Sequence, residues 1–369
     1  MTERSERAGL QGADALEVLP IRGIGDVTPG DDLAELITNA APWLADGDVL
    51  VVTSKIVSKA EGRLVDVPAD GPEREAAREE ILASETARVV ARRGPTAIVQ
   101  THHGFVMAAG GIDASNVDKT HLVLLPADPD ASARRLHRDL RARGLNVGVI
   151  VSDTMGRAWR NGLTDVALGA AGIEPFRDHR GEIDPYGNEL QLTQMAVIDE
   201  LAGAGELVKG KSDQVPVAVV RGYPGAGQAD HDGAVALLRD AASDMFSLGT
   251  AEARVVGLRD AALLPDGLPG GPAERDAARG RIPVDAGAVE RALATVSNAI
   301  TPGTVITTAD VHLESGATAA LRLTPAGATP AAFMRLGADA HRLRAALAAE
   351  GLASEALPQQ DGLLVTIST

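Results

Sequence analysis

"SDTMGRAWRNGLTDVALGAAG", residues 152–172, follows the apolar run 145–151, and its reading decides the rest of the chain. A buried strand normally hands over to a turn built from Gly, Pro, Asn or Asp. An aspartate, a threonine and two arginines packed beside a core run indicate a site instead. A capped strand end is the plainer reading of the same residues.

Outward from that stretch, helical and strand periods interleave, which predicts a mixed α/β (α+β) fold without fixing the strand order. "DDLAELITNAAPWL" predicts a short helix ending near Pro42, and "DGDVLVVTSK" a turn and a buried strand that delivers Ser54 and Lys55 at its end. Residues 72–93, "PEREAAREEILASETARVVARR", carry Pro near the start and arginines at the end, and predict one amphipathic helix. "TAIVQTHHGFVMAAGGID" predicts two strands joined by "HHG" and a Gly-Gly turn presenting Asp113. His102 and His103 in that turn read as solvent-facing or structural. "HLVLLP" is a strand and "DPDASARRLHRDLRARG" a helix; after the opening stretch, "NELQLTQMAVIDELAGAGELV" is helical, "KGK" a loop and "VPVAVVRG" a strand.

Residues 250–285 are rich in Pro, Gly, Asp and Arg. This divides the chain into a domain at 1–250, a linker at 251–285 and a small α+β C-terminal domain at 286–369. The last part predicts helices near 286–299 and 330–350, a hairpin around "TVITTADVHLESGATAALRLT" and a closing strand "GLLVTIS".

At 369 residues with 45% hydrophobic but only 2% aromatic residues, the core must be aliphatic. The net charge of −16 argues against general attraction to nucleic acid or to an anionic membrane. An anionic ligand therefore needs a local basic pocket or metal ions. No cysteine is present, which excludes disulfides and thiolate sites and fits a reducing compartment. The polar first twenty residues and the lack of any run near 20 apolar residues predict a soluble, cytoplasmic protein.

Of 35 basic residues only Lys55, Lys59, Lys119, Lys209 and Lys211 are lysine, four of them in "SKIVSK" and "KGK". Lysine meets phosphate as a compact point charge, which arginine's flat fork does not replace. Acid-bearing turns are expected at "GGIDASN" (Asp113, Asn116), "SDTMGR" (Asp153, Thr154) and "GLTD" (Asp165). Two carboxylates with a hydroxyl suit a hard cation such as Mg²⁺, although Asp is also an ordinary turn residue. "GIGDVTPGDD", "GAAG" and "KGK" lack the spacing of a P-loop or dinucleotide fingerprint. Trp159 reads either as a stacking surface for a planar ligand or as a core anchor.

Taken in order, "GDDL", "DGDVLVVTSKIVSKAEGR", "GGIDASNVD", "SDTMGRAWRNGLTDVALGAAG", "DPYGNELQLTQMAVIDELA" and "LVKGKSDQVPVAVVRG" resemble the coenzyme F420-0:L-glutamate ligase family over about residues 16–250. The resemblance implies that family's mixed-sheet fold and a homodimer. It also implies GTP as co-substrate, two divalent ions (Mg²⁺ or Mn²⁺) and K⁺ as activator. Carried over by motif, Asp113, Asp153 and Thr154 would hold metal. Ser54, Lys55, Lys59 and Asn116 would line the nucleotide site, completed by backbone groups of Ile24, Gly25, Asp26 and Val27 and by the loop with Lys209, Gly210, Lys211 and Gln214.

The implied reaction activates the lactyl carboxylate of the deazaflavin precursor F420-0 as an acyl phosphate, which glutamate's amine captures, with GDP and phosphate released and further γ-linked glutamates as an extension. Asp153, Lys59 and Arg157 are the expected catalytic residues; Arg157 and Arg160 either meet substrate anions or pair with structural acids. Some relatives carry a further FMN-binding, nitroreductase-like domain. Here only about 120 residues follow residue 250 and no FMN-phosphate motif opens them, so they read as a degenerate remnant without flavin. The alternatives are a bifunctional ligase and FMN-dependent dehydro-F420-0 reductase, and a non-catalytic deazaflavin-binding protein. Bound flavin marks the first; a binder has no need of a metal and phosphate apparatus.

Overall fold

The computed structural model describes residues 15–115, 117–211, 213–227, 231, 233–262, 286–309 and 319–368. Its core is the run Val49–Thr53 (β2), which is apolar at every position that faces a layer. Period-2 alternation sends Leu50 and Val52 to one cluster and Val49 and Val51 to another, so both faces of this strand are covered.

Around it forms a five-stranded sheet with β1 (Glu17–Ile21), β12 (Val217–Arg221), β8 (Gly148–Arg157) and β9 (Arg160–Ala171), in the order β1-β12-β2-β8-β9. Only β2 and β8 run parallel. On one face pack α1 (Leu33–Ala40), α2 (Ser54–Ala60) and α4 (Pro129–Ala142), on the other α5 (Val197–Lys209). Two helices approach the sheet at glycines. A Cβ on Gly169 of β9 would stand 2.1 Å from the Pro129 carbonyl at the start of α4, and one on Gly205 of α5 would meet Val51 at 2.8 Å. Any side chain there would push a helix off the sheet.

This is the mixed α/β fold expected, with three differences in detail. The helix at 72–93 ends early: α3 covers Gly71–Glu85, and Thr86–Arg93 is a strand (β4) paired with β5 (Thr96–Thr101), itself joined to β6 (Val106–Ala108). "TARVVARR" is β-branched and alternating, and the partner strand decides its state. The helix read from Asn188 begins only at Val197, after a short strand at Gln194–Ala196. "SDTMGR" and "GLTD" are not turns but rungs of the β8–β9 hairpin, where Thr154 faces Asp165. The expected "HHG" hairpin forms: His102 Nε2 meets the Ser84 carbonyl, and His103 Nε2 the Pro126 and Ala127 carbonyls.

The chain falls into two compact units, Met1–Gly249 and Thr250–Thr369. Of the segment read as a linker, Thr250–Ala262 is helical and 263–285 lies outside the described residues. The second unit is an antiparallel sheet, β13 (Val305–Thr308), β14 (Ala319–Thr324), β15 (Ala353–Gln359) and β16 (Gly362–Ser368), in the order β13-β14-β16-β15. The helices Ala288–Val296 and Pro330–Ala349 close one core with it. No helix among the described residues is long and apolar enough to cross a membrane.

Candidate active site

Three elements of the first unit deliver the charged groups. β8 carries Ser152, Asp153 and Thr154 out of the core, β9 returns Asp165 opposite Thr154, and α5 ends beneath them. Helix α5 stops at Gly210, whose φ of 62° and ψ of −172° suit glycine and send Lys209 and Lys211 to different places.

Lys209 points inward. Its ammonium donates to Asp165 Oδ2 at 2.7 Å and to Ser152 Oγ at 2.8 Å, and the side chains of Lys209 and Asp165 are only 2% and 3% exposed. The Lys209 charge placed by resemblance at the nucleotide is thus spent on a buried acid, because desolvating one of the pair alone would cost several kcal/mol. Asp165 also accepts from Ser152 Oγ at 2.9 Å and from Thr154 Oγ1 at 2.6 Å. Burial by itself would raise the Asp165 carboxyl, but the Lys209 charge and these donors hold it below its ordinary value.

Lys211 points outward and donates to Thr154 Oγ1 at 2.5 Å and to Glu206 at 2.8 Å. Thr154 thus gives its proton to Asp165 and takes one from Lys211. Beside it, burial pushes the Asp153 carboxyl up to about 7; the Thr154 N–H opposes this, and the charges of Asp165 and Asp113 add to it.

Asp113 comes from a separate loop, tied to β7 (His121–Val123) by a bridge to Val123. Its carboxylate meets Lys55 at 2.7 Å and accepts from the Ser115 N–H at 2.6 Å. Burial would raise it, yet Lys55 and Ser115 keep it low. Lys55 sits in the first turn of α2, after buried Ser54, and Lys59 one turn on lies 3.9 Å from Asp26. In the 24–27 loop Ile24 and Val27 are core anchors, while Gly25 and Asp26 face solvent. Gln214 holds a left-handed φ of 54°.

Of the residues expected to act together, Asp113, Lys55, Asp153, Thr154 and Lys211 share one network, Lys209 is withdrawn onto Asp165, Lys59 lies beside Asp26, and Asn116 lies outside the described residues. Arg157 and Arg160 face each other at the end of the hairpin. What the sequence missed is the role of Asp165: it stood out as an acid after an apolar run, but only the strand register puts it under Thr154.

Asp113, Asp153 and the Thr154 hydroxyl fit a hard divalent ion. Among the described residues no three His, Asp or Glu side chains form a ready cluster. Mg²⁺ and Mn²⁺ need only one or two carboxylates, with waters and phosphate completing the shell, and a cation would relieve the repulsion between Asp153 and Asp113. A separate cleft of about 220 Å³ between α1, α2 and α4 is a poorer candidate for an anionic ligand, since Arg135 is the one base in its lining against Asp31, Asp32, Glu61 and Asp139.

A family profile described as F420-0:Gamma-glutamyl ligase matches residues 23–222. Similar proteins include the Coenzyme F420:L-glutamate ligase of Methanothermobacter thermautotrophicus, 39% identical over 63% of this chain and 98% of that protein. Those of Methanopyrus kandleri and Archaeoglobus fulgidus are both 40% identical, over 57% and 58% of this chain and 88% and 90% of their own.

Proposed function

This chain belongs to the F420-0:gamma-glutamyl ligase family and is a ligase, and on that premise we propose that it joins L-glutamate to coenzyme F420-0 at the expense of GTP. The observation that carries the reading is the convergence of Asp113, Asp153 and Thr154 with Lys55 and Lys211 in a chain of net charge −16. Those lysines supply the local positive field that an anionic nucleotide needs.

Asp113, Asp153 and Thr154 would hold divalent cations, which when bound neutralise phosphate charge. The chain's own groups do the rest. Lys55 and Lys59 fix phosphate oxygens from α2, Lys211 swings from Thr154 and Glu206 to the nucleotide, and the buried Lys209–Asp165 pair holds Thr154 in place. Phosphoryl transfer asks little covalent work of a protein beyond such positioning.

In the proposed reaction a carboxylate oxygen of F420-0 attacks the γ-phosphorus as the bond to the bridging oxygen breaks and GDP leaves. The amine of glutamate then attacks the acyl carbon, phosphate departs, and the nitrogen gives up a proton to leave an amide. Further γ-linked glutamates follow by the same steps. The working unit is proposed to be a homodimer with K⁺ as activator, and the C-terminal unit a small domain without flavin.

The test is incubation of the purified full chain with F420-0, glutamate, GTP and Mn²⁺. GDP release matched to a longer glutamyl tail is expected, and hydroxylamine added in place of glutamate should trap the acyl phosphate as a hydroxamate. A folded protein that gives neither product overturns the reading. Uptake of added FMN with its yellow absorbance would favour the bifunctional alternative.

A further inference from the structure

The hairpin that carries Asp153 turns at Trp159, whose ring meets that of Phe246 from a separate loop, and both rings are left in water. The chain has only two Trp, two Tyr and four Phe. Yet Trp159 is 83% exposed and Phe246 59% exposed, with ring centroids 5.0 Å apart and planes inclined by 60°. Trp159 also holds a left-handed φ of 57°, a strained conformation for so bulky a residue. An indole that serves as a core anchor would be buried. This one is held out on a strained turn.

Arg157 and Arg160 flank it and pair across the turn, and both are exposed. Among the described residues neither makes an ion pair, although acids outnumber bases 51 to 35 in the chain. Two cations borne by opposite residues of one turn repel, and an anion bound between them removes that cost.

We propose that the hairpin tip is the seat of the acceptor substrate's ring: a planar heteroaromatic system stacks on Trp159 with Phe246 at its edge, and Arg157 and Arg160 take anionic groups on its tail. Trp159 lies in the turn two residues beyond β8 and six residues from Asp153, at most about 20 Å away at the usual strand rise. The substrate must therefore carry its reacting carboxylate at the end of an extended chain. The inference rests on the function proposed above, where the deazaflavin ring and the lactyl carboxylate of F420-0 stand at opposite ends of the molecule.

Fluorescence tests this in the full chain. In a Trp43→Phe background Trp159 is the one remaining indole, and F420-0 added without GTP should quench its emission saturably. Trp159→Ala should raise KM for F420-0 roughly tenfold, the usual scale of an aromatic stack. Its kcat and its KM for GTP should stay within about twofold, and Trp159→Phe should restore most of the loss. Trp159→Asn, which tolerates the left-handed turn, serves as the check if the alanine variant misfolds. Unchanged emission at saturating F420-0, or a KM within twofold in both variants, overturns the inference. So does light scattering showing that Trp159→Ala or Trp159→Asn dissociates an oligomer, since the tip would then be a contact between copies. If the wild-type chain makes no product while Trp159 still reports F420-0, the function fails and the subsite stands.

Discussion

Asp165 and Asp339 are both carboxylates sunk in a core, one in each unit, at 3% and 0% exposure, and they are satisfied in opposite ways. Asp339 accepts from the Thr301 N–H, Thr304 Oγ1 and Arg342, so its network closes on its own helix and the loop that helix supports. Asp165 is neutralised by a lysine as buried as itself, and its second oxygen holds Thr154, which leads on to Lys211, Asp153 and solvent. A buried charge is therefore not evidence of a site. What marks a site is a network with an open end where like charges are left in tension, as Asp153 is with Asp165 and Asp113.

The contrast breaks most readily at Lys209. Lys209→Met strands the Asp165 carboxylate in the core and is expected to cost about 3–5 kcal/mol in denaturant unfolding. Pairing it with Asp165→Leu should recover most of that stability and none of the ligation. A single variant no less stable than the double would show that the pair is not buried as described.

Asp339→Ala should cost less, about 1–3 kcal/mol, by leaving the Thr301 and Thr304 donors unpaired. Ligation should be unchanged. Burial would raise the Asp339 carboxyl, but its donors hold it below the ordinary 3.8, so its stabilisation is present above that pH and lost as pH falls through the folded value. The stability gap to Asp339→Asn should accordingly close in acid. A drop in kcat with Asp339→Ala would erase the distinction between the two networks.

At Asp153 the sign reverses. Its carboxyl is raised to about 7, so the native state keeps a proton that the unfolded chain releases above 3.8, and stability declines as pH rises through the folded value. Asp153→Asn should therefore stabilise the metal-free protein at pH 8 by about 1 kcal/mol, after allowance for solvent screening, while abolishing turnover. A lower melting temperature for the variant would mean that the site is not under electrostatic tension.

The smallest effect is expected at Lys55, whose pair with Asp113 is partly exposed. Lys55→Ala should change stability by less than about 1 kcal/mol yet raise KM for GTP several-fold. Equal kinetics with a large stability loss would make it structural.

How much of this was legible beforehand follows the range of the interactions. The run "VLVV" after a Gly-Asp turn read as a buried strand, and "DPDASARRLHRDLRARG" read as a helix, because those signals are local. "TARVVARR" continued a helical pattern and was claimed by a partner strand instead. The charged stretch after residue 151 announced a site, but not that its two aspartates were rungs of a ladder.

By itself the sequence determined an aliphatic mixed α/β chain, the motifs of its family, and the few lysines set apart from the arginines. Only the tertiary structure decided that Lys209 serves Asp165 and Lys211 serves the surface, and that Trp159 stands in water rather than in the core. Those outcomes depend on register across a hairpin and on one glycine at the end of a helix. Such choices are made by contacts between residues far apart in the chain, whose energies no local pattern records.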